Sequence, residues 1–123
     1  MIKKFEDIKA WQKARNLNKG TTDAIRNKNF SEDWFLKNQL LKCCDSIMLN
    51  IAEGFGRNSP AEFKQYLVIA HGSVTEIQSG LYIALDRKYI SVSNFEDLYS
   101  DAEDVSKLIS GFIRHLKSKI EEN

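Results

Sequence analysis

Residues Asn50 to Glu62, NIAEGFGRNSPAE, are the densest grouping of chemistry-bearing side chains in the chain. Glu53, two glycines and Arg57 stand directly before Ser59-Pro60-Ala61-Glu62. A carboxylate beside a flexible turn suits acid/base work, and glycines followed by a cation suit a phosphate-cradling loop. The phosphate loop needs a strand-to-helix turn, usually with a Lys-Ser/Thr dipeptide, and neither is present. A helical hinge uses the same residues differently. Gly54 would close one helix in a left-handed conformation, with Phe55 packing back on the preceding turn. Ser59, Pro60 and Glu62 then open the next helix as a capping box. The hinge accounts for Gly54, Gly56 and the capping residues together.

Other constellations are sparser. Glu53 and Glu76 could pair as acid/base or metal-binding carboxylates, but metal-binding helical bundles use Glu-x-x-His pairs that this chain lacks. His71 and His115 stand alone on separate helices. Cys43 as a nucleophile requires an electropositive setting and a partner base, and the sequence indicates neither. No catalytic, cofactor-binding or metal-binding residue is therefore assigned. Arg57, Lys42 and Lys64 could meet phosphates, with Phe55 or Tyr66 stacking on bases; solvated lysines and core aromatics explain the same residues. Trp11 and Trp34 read as packing anchors.

The elements that must position these residues read as four helices. The first spans about Glu6 to Asn27, with Phe5, Ile8, Trp11, Ala14, Leu17, Ala24 and Ile25 on one stripe. Ser31 is the expected N-cap of the second, with Glu32 and Asp33 in its first turn. Its apolar stripe is Leu40, Cys44, Ile47, Ile51 and Phe55, beside a polar one of Gln39, Lys42, Ser46, Asn50 and Glu53. The third begins at Ser59 and repeats Phe63, Leu67, Ala70, Val74, Ile77, Leu81 and Ala84 at alternating spacings of 4 and 3, a coiled-coil-like seam. Gly72, Ser73, Glu76, Ser79 and Gly80 form a strip of small and polar residues on the same helix, and two interior glycines imply close approach by a neighbouring helix or another subunit. Ser93 to Glu96 reads as a capping box for the fourth helix, whose seam is Phe95, Leu98, Ala102, Val105, Ile109, Phe112 and Leu116. The expected fold is all-α, an antiparallel up-down-up-down four-helix bundle formed by one domain over residues 1–123.

Composition agrees with a packed helical chain: 42% hydrophobic, 28% charged, six glycines and one proline in 123 residues. No apolar run approaches the roughly 18 residues that span a bilayer, and the opening MIKKFEDIKAW lacks a secretory apolar stretch, so a cytoplasmic protein without membrane contact is expected. Adjacent Cys43 and Cys44 sit about 3.8 Å apart at Cα, too close for ordinary disulfide geometry, and read as reduced, buried small residues. Net charge is +1. Residues 1–60 hold 11 Lys and Arg against 7 Asp and Glu, whereas residues 61–123 hold 7 against 10, an asymmetry that solvated helix faces also produce.

Gln39-Leu40, Ser46-Ile47, Asn50-Ile51-Ala52-Glu53-Gly54-Phe55-Gly56-Arg57, Glu62-Phe63, Leu67, Ala70, Gly72-Ser73 and Glu76 together form a specific pattern. With Phe5, Trp11 and Ala14 in FEDIKAWQKA, the chain resembles the four-helix bundle proteins encoded by intervening sequences in bacterial 23S ribosomal RNA genes. The resemblance implies a homopentamer of antiparallel four-helix bundles with no established enzymatic activity. A related branch, the accessory proteins of diversity-generating retroelements, is similar in fold and ring assembly and binds nucleic acid, so RNA or DNA binding is what the resemblance implies here. The family often has two basic residues after Gln-Leu and then two alanines. This chain has Leu41-Lys42 and Cys43-Cys44, losing one basic position, and Asp45 adds a negative charge nearby.

The resulting expectation is a non-catalytic homo-oligomer that binds nucleic acid through backbone contacts, with Lys3, Lys4, Lys9, Lys13, Lys42 and Arg57 as candidate contacts. Gln39, Ser46, Asn50, Glu53, Gly54, Gly56, Ser59, Glu62, Gly72, Ser73 and Glu76 carry the structural motif. A protein-interaction scaffold that never meets nucleic acid is the alternative, favoured by the near-neutral charge and the acidic C-terminal half.

Overall fold

The computed structural model describes residues 1–122, and of the expected domain only Asn123 lies outside them. A single 3-10 turn, Phe5–Asp7, precedes five α-helices: α1 (Lys9–Ile25), α2 (Lys28–Glu32), α3 (Trp34–Gly56), α4 (Pro60–Asp86) and α5 (Val92–Glu122). Among the described residues there is no strand. α3 packs on α1 and α4, α5 packs on α1 and α4, and α2 bridges the α1 and α3 ends. Apolar side chains from all five helices share one core.

The seams explain this packing. All seven α4 seam residues are buried, as are Leu98, Ala102, Val105, Ile109 and Leu116 on α5, with Phe95 and Phe112 half-buried at its two ends. Leu40, Cys44, Ile47 and Ile51 of α3 meet them. Each fully buried Leu or Ile contributes about 1.5–3 kcal/mol of transfer free energy, so the burial of α4 on both α3 and α5 dominates the fold. Ser59 begins α4 as expected: its Oγ accepts from the Glu62 N–H at 3.3 Å, and Pro60 occupies the first turn.

Four expectations are corrected. First, the segment between α1 and α3 is a helix of its own, so Ser31 lies inside α2 and caps nothing. Asn27 Oδ1 accepts from the N–H groups of Asn29 and Phe30 and starts α2, and Asp33 Oδ1 accepts from the Leu36 N–H and starts α3. Asp33 takes φ −80°, ψ 80°, which ends α2 while freeing its carboxylate to cap α3. Second, α5 starts two residues earlier than its apparent capping box: Ser91 Oγ accepts from Asn94 N–H at 3.0 Å, and Ser93 is already helical.

Third, Gly54 does not close α3. It is helical and buried, no glycine has positive φ, and the left-handed residue after the helix is Asn58 at φ 56°. Asparagine tolerates this conformation better than other side chains. Fourth, Trp34 anchors nothing within the chain, being 70% exposed beside the equally exposed Phe35. Trp11, in contrast, packs edge-on against Phe5 at 5.1 Å.

Candidate functional site

The polar stripe of α3 and the small-residue strip of α4 face each other along one side of the molecule. Ser73 Oγ donates to Ser46 Oγ at 2.9 Å, and the Asn50 amide donates to the Ser46 carbonyl (2.8 Å) and hydroxyl (3.0 Å). One turn away the Cys43 thiol points at Glu76 Oε2, 3.6 Å distant. Gln39, Lys42, Cys43, Ser46, Ser73 and Glu76 line a hollow of about 170 Å³. It runs into a second of about 230 Å³ that reaches Phe35, Ser79, Gly80 and Ile83. The two form an open trough between α3 and α4.

The trough is floored by the Leu40 side chain, which lies on the bare backbone of Gly80. A Cβ on Gly80 would lie 2.5 Å from Leu40 Cδ2, which explains the glycine by helix packing within the chain. Gly72 differs, since a Cβ there would meet nothing within 4 Å. Exposed apolar side chains flank the trough: Phe35 and Leu49 on α3, Ile69 and Ile83 on α4. Their spacing on both helices continues the polar stripes, so one face carries both.

The thiols at and beneath this face are held in their protonated form. Burial, reinforced by the Glu76 carboxylate, pushes the Cys43 thiol up to about 11, and burial pushes Cys44 up to about 12. Both cysteines are free and buried, as expected, and neither is a thiolate near neutral pH. Glu53 and Glu76 have separate partners, because Glu53 Oε2 sits 3.3 Å from Arg57 Nε. Among the described residues no three His, Cys, Asp or Glu side chains gather as a metal site.

The candidate nucleic-acid contacts are dispersed. Lys3 and Lys4 precede the first turn, Lys9 and Lys13 lie on α1, Lys42 opens into the trough, and Arg57 caps α3. Arg57 is engaged: it donates to the Tyr66 hydroxyl at 2.7 Å, lies 5.3 Å from that ring's centroid, and its guanidinium is held further toward the charged form by Tyr66 and Glu53. Lys13 faces α5, where its charge partly offsets the upward push that burial and Asp104 exert on Asp101. Lys13 and Lys42 thus serve different sides of the molecule.

Sequence reasoning missed two polar clusters. Ser106 Oγ lies 3.0 Å from His71 Nε2 across α4 and α5; a separation of 35 residues leaves no local signal. Asp33 Oδ2 accepts from Arg87 at 2.7 Å and from the Tyr89 hydroxyl at 2.8 Å, tying the start of α3 to the α4–α5 connection.

No helix among the described residues is long and apolar enough to cross a membrane. Curated proteins give no match to the chain. The fold is similar to that of a protein of unknown function from the S23 ribosomal protein family of Bacteroides thetaiotaomicron, with a TM-score of 0.77 and 22% identity over 85% of this chain and 97% of that one. At that identity the likeness concerns the fold. The model of the family described as 23S rRNA-intervening sequence protein matches residues 6–111, carrying the trough, the α3–α4 turn and most of α5. The chain belongs to the 23S rRNA-intervening sequence protein family.

Proposed function

We propose that this chain is a non-catalytic cytoplasmic protein whose α1, α3, α4 and α5 run antiparallel, up-down-up-down, as a four-helix bundle. Copies associate through the α3/α4 face into a ring, five as the family resemblance implies, and the ring binds RNA or DNA through phosphate contacts. Connections of three residues between α3 and α4 and five between α4 and α5 favour the antiparallel course, since they leave little chain for a crossover.

The observation that carries the assembly is the mixed face along the trough. Leu49 is 67% and Ile69 53% exposed, and the open surface at Gly72, one turn along α4 from Ile69, admits a close neighbour. Exposed apolar side chains in a contiguous row mark an association surface. Nucleic-acid binding draws on Lys3, Lys4, Lys9 and Lys42, which make no ion pair among the described residues. Repeating a weak patch around a ring raises avidity without any strong single site.

Light scattering on a sizing column, with and without total RNA at low and moderate salt, tests both parts. The expected result is a protein-only mass several times 14.2 kDa that grows with RNA and shrinks back with salt. Ile69→Glu should abolish the large mass while leaving the helical signal intact. A monomeric wild-type chain would overturn the assembly, and an oligomer indifferent to RNA at either salt would overturn nucleic-acid binding.

A protein-interaction scaffold is the second reading. It is favoured by the exposed carboxylates Glu96, Asp97, Asp101, Glu103 and Asp104 along α5 and by the prior engagement of Arg57. A partner that stays bound after complete nuclease digestion would select it.

A further inference from the structure

One end of the molecule carries an apolar cleft that the α3/α4 face does not use. The α3–α4 turn, the first turn of α4 and the C-terminal part of α5 converge there, with Met1 and Ile2 against them. Two adjoining grooves of about 470 and 380 Å³ share Ile2, Phe112 and His115 as a common wall. The larger is lined by Phe55, Phe63, Phe112 and Leu116. Phe63 holds this lining together, its ring centroid 6.1 Å from Phe55 and 5.0 Å from Phe112. Small-molecule sites have this size, about 300–1,000 Å³, and this mostly apolar character.

The charged side chains that line the grooves are Lys107 and Lys119. His115 and Lys119 line the larger groove and Lys107 the smaller, whereas no aspartate or glutamate lines either. Ser59 and Pro60 lie at the same rim, so the positive end of the 27-residue α4 adds to the charge of the lysines. The acidic residues of α5 lie between Glu96 and Asp104 and at its end, Glu121 and Glu122, and none of them lines either groove. Together 14 residues line the two grooves, short of the roughly 20–30 that each side of a stable protein interface supplies. The cleft is sized for a small molecule rather than a protein surface.

We infer that this cleft binds a single-chain anionic amphiphile, a fatty carboxylate, whose acyl chain lies on Phe55, Phe63 and Phe112 and whose carboxylate meets the His115 and Lys107 edge. The aromatic lining supplies apolar burial, and a lysine edge without a lining carboxylate selects against neutral and cationic head groups.

Calorimetric titration of the full chain tests this with decanoate, decyl maltoside and decyltrimethylammonium, each below its micellar concentration. Decanoate should saturate one site per chain and bind at least tenfold more tightly than the other two. Replacing both head-group contacts, Lys107→Gln with His115→Gln, should weaken decanoate about tenfold and leave decyl maltoside unchanged. Gly111 lines the smaller groove, and a Cβ there meets only Arg114 Nη2 at an ordinary 3.7 Å. Gly111→Leu therefore narrows the groove in a helix that tolerates it, and should weaken binding of all three ligands while the thermal midpoint is held or raised. Absence of saturable decanoate binding, or equal binding of the three head groups, would overturn the inference. So would unchanged decanoate affinity in the Lys107/His115 variant.

Discussion

Gly54 of α3 lies against Tyr66 of α4 so closely that a Cβ on the glycine would stand 2.7 Å from the tyrosine Cβ and 2.8 Å from Phe63 Cδ1. The tyrosine atom sits next to its own backbone and cannot swing away. The glycine is thus required by helix-on-helix approach, and Tyr66 in turn carries the hydroxyl that receives Arg57.

Gly54→Ala should destabilise the chain by about 1–3 kcal/mol, the ordinary cost of overpacking, despite the gain in helix propensity. At Gly56, two residues on, an added methyl group would meet nothing within 4 Å. Gly56→Ala should be neutral or stabilising by up to about 1 kcal/mol. Urea midpoints of the two variants against wild type check the contrast, and equal shifts of the same sign would refute the packing argument.

Asp33 predicts an acid-sensitive clasp. The Tyr89 hydroxyl, the Leu36 N–H and Arg87 together hold its carboxyl below the ordinary 3.8. Because the folded value is depressed, the unfolded chain takes up the proton first as pH falls. The stabilisation is complete above the ordinary value and disappears as pH drops through the folded one. Thermal melts of wild type and Asp33→Asn should differ at pH 7 and converge toward pH 2. Asp33→Ala, which also removes the cap of α3, should melt below Asp33→Asn at neutral pH.

The two thiols predict the opposite, alkaline, dependence. Their folded values of about 11 and 12 lie above the ordinary 9.0, so the unfolded chain loses these protons first as pH rises. Their contribution is complete below pH 9 and is lost as pH climbs through the folded values. A Cys43→Ala/Cys44→Ala variant should show a shallower fall in urea midpoint between pH 8 and pH 11 than wild type. Native thiols should also react slowly with a disulfide reagent at pH 7.5 and rapidly in denaturant.

The lysines separate by their surroundings. Lys3, Lys4 and Lys9 are exposed, whereas Lys13 is near Asp101 and Arg57 is paired. If RNA meets the free cations, replacing Lys3, Lys4 and Lys9 by Gln should reduce the slope of log affinity against log salt by about 0.7 for each lost contact with a single strand. Arg57→Gln should change it far less. Filter binding over a salt series distinguishes the two outcomes.

Much of the helical architecture was legible because it rests on period. The seams of α4 and α5 repeat over many turns and agree with the buried residues, and Ser59-Pro60 marks α4 by local capping chemistry. The misplaced features depend on geometry beyond the local pattern. Asn27 and Asp33 both cap, but Ser31 between them is an equally good local signal, and only the position of buried Phe30 beneath Tyr89 decides. Gly54 follows an apolar stripe as a terminating glycine would; its reason is Tyr66, 12 residues later. Trp34 has the composition of a core residue without a position in any seam. At the trough, Ser46, Asn50 and Ser73 were legible as polar stripes, but their mutual hydrogen bonds follow from the pairing of α3 with α4.

α1 packs on both α3 and α5, while α5 is the last of the helices to be synthesised. Translation delivers α3, α4 and α5 as successive neighbours, but α1 emerges with its apolar stripe exposed and its second partner absent. Its docking joins the most distant parts of the sequence and carries the largest loop-closure cost. An interval therefore exists on the ribosome in which the α1 stripe is available to a chaperone or to the wrong helix, and slowing translation before α5 would lengthen it.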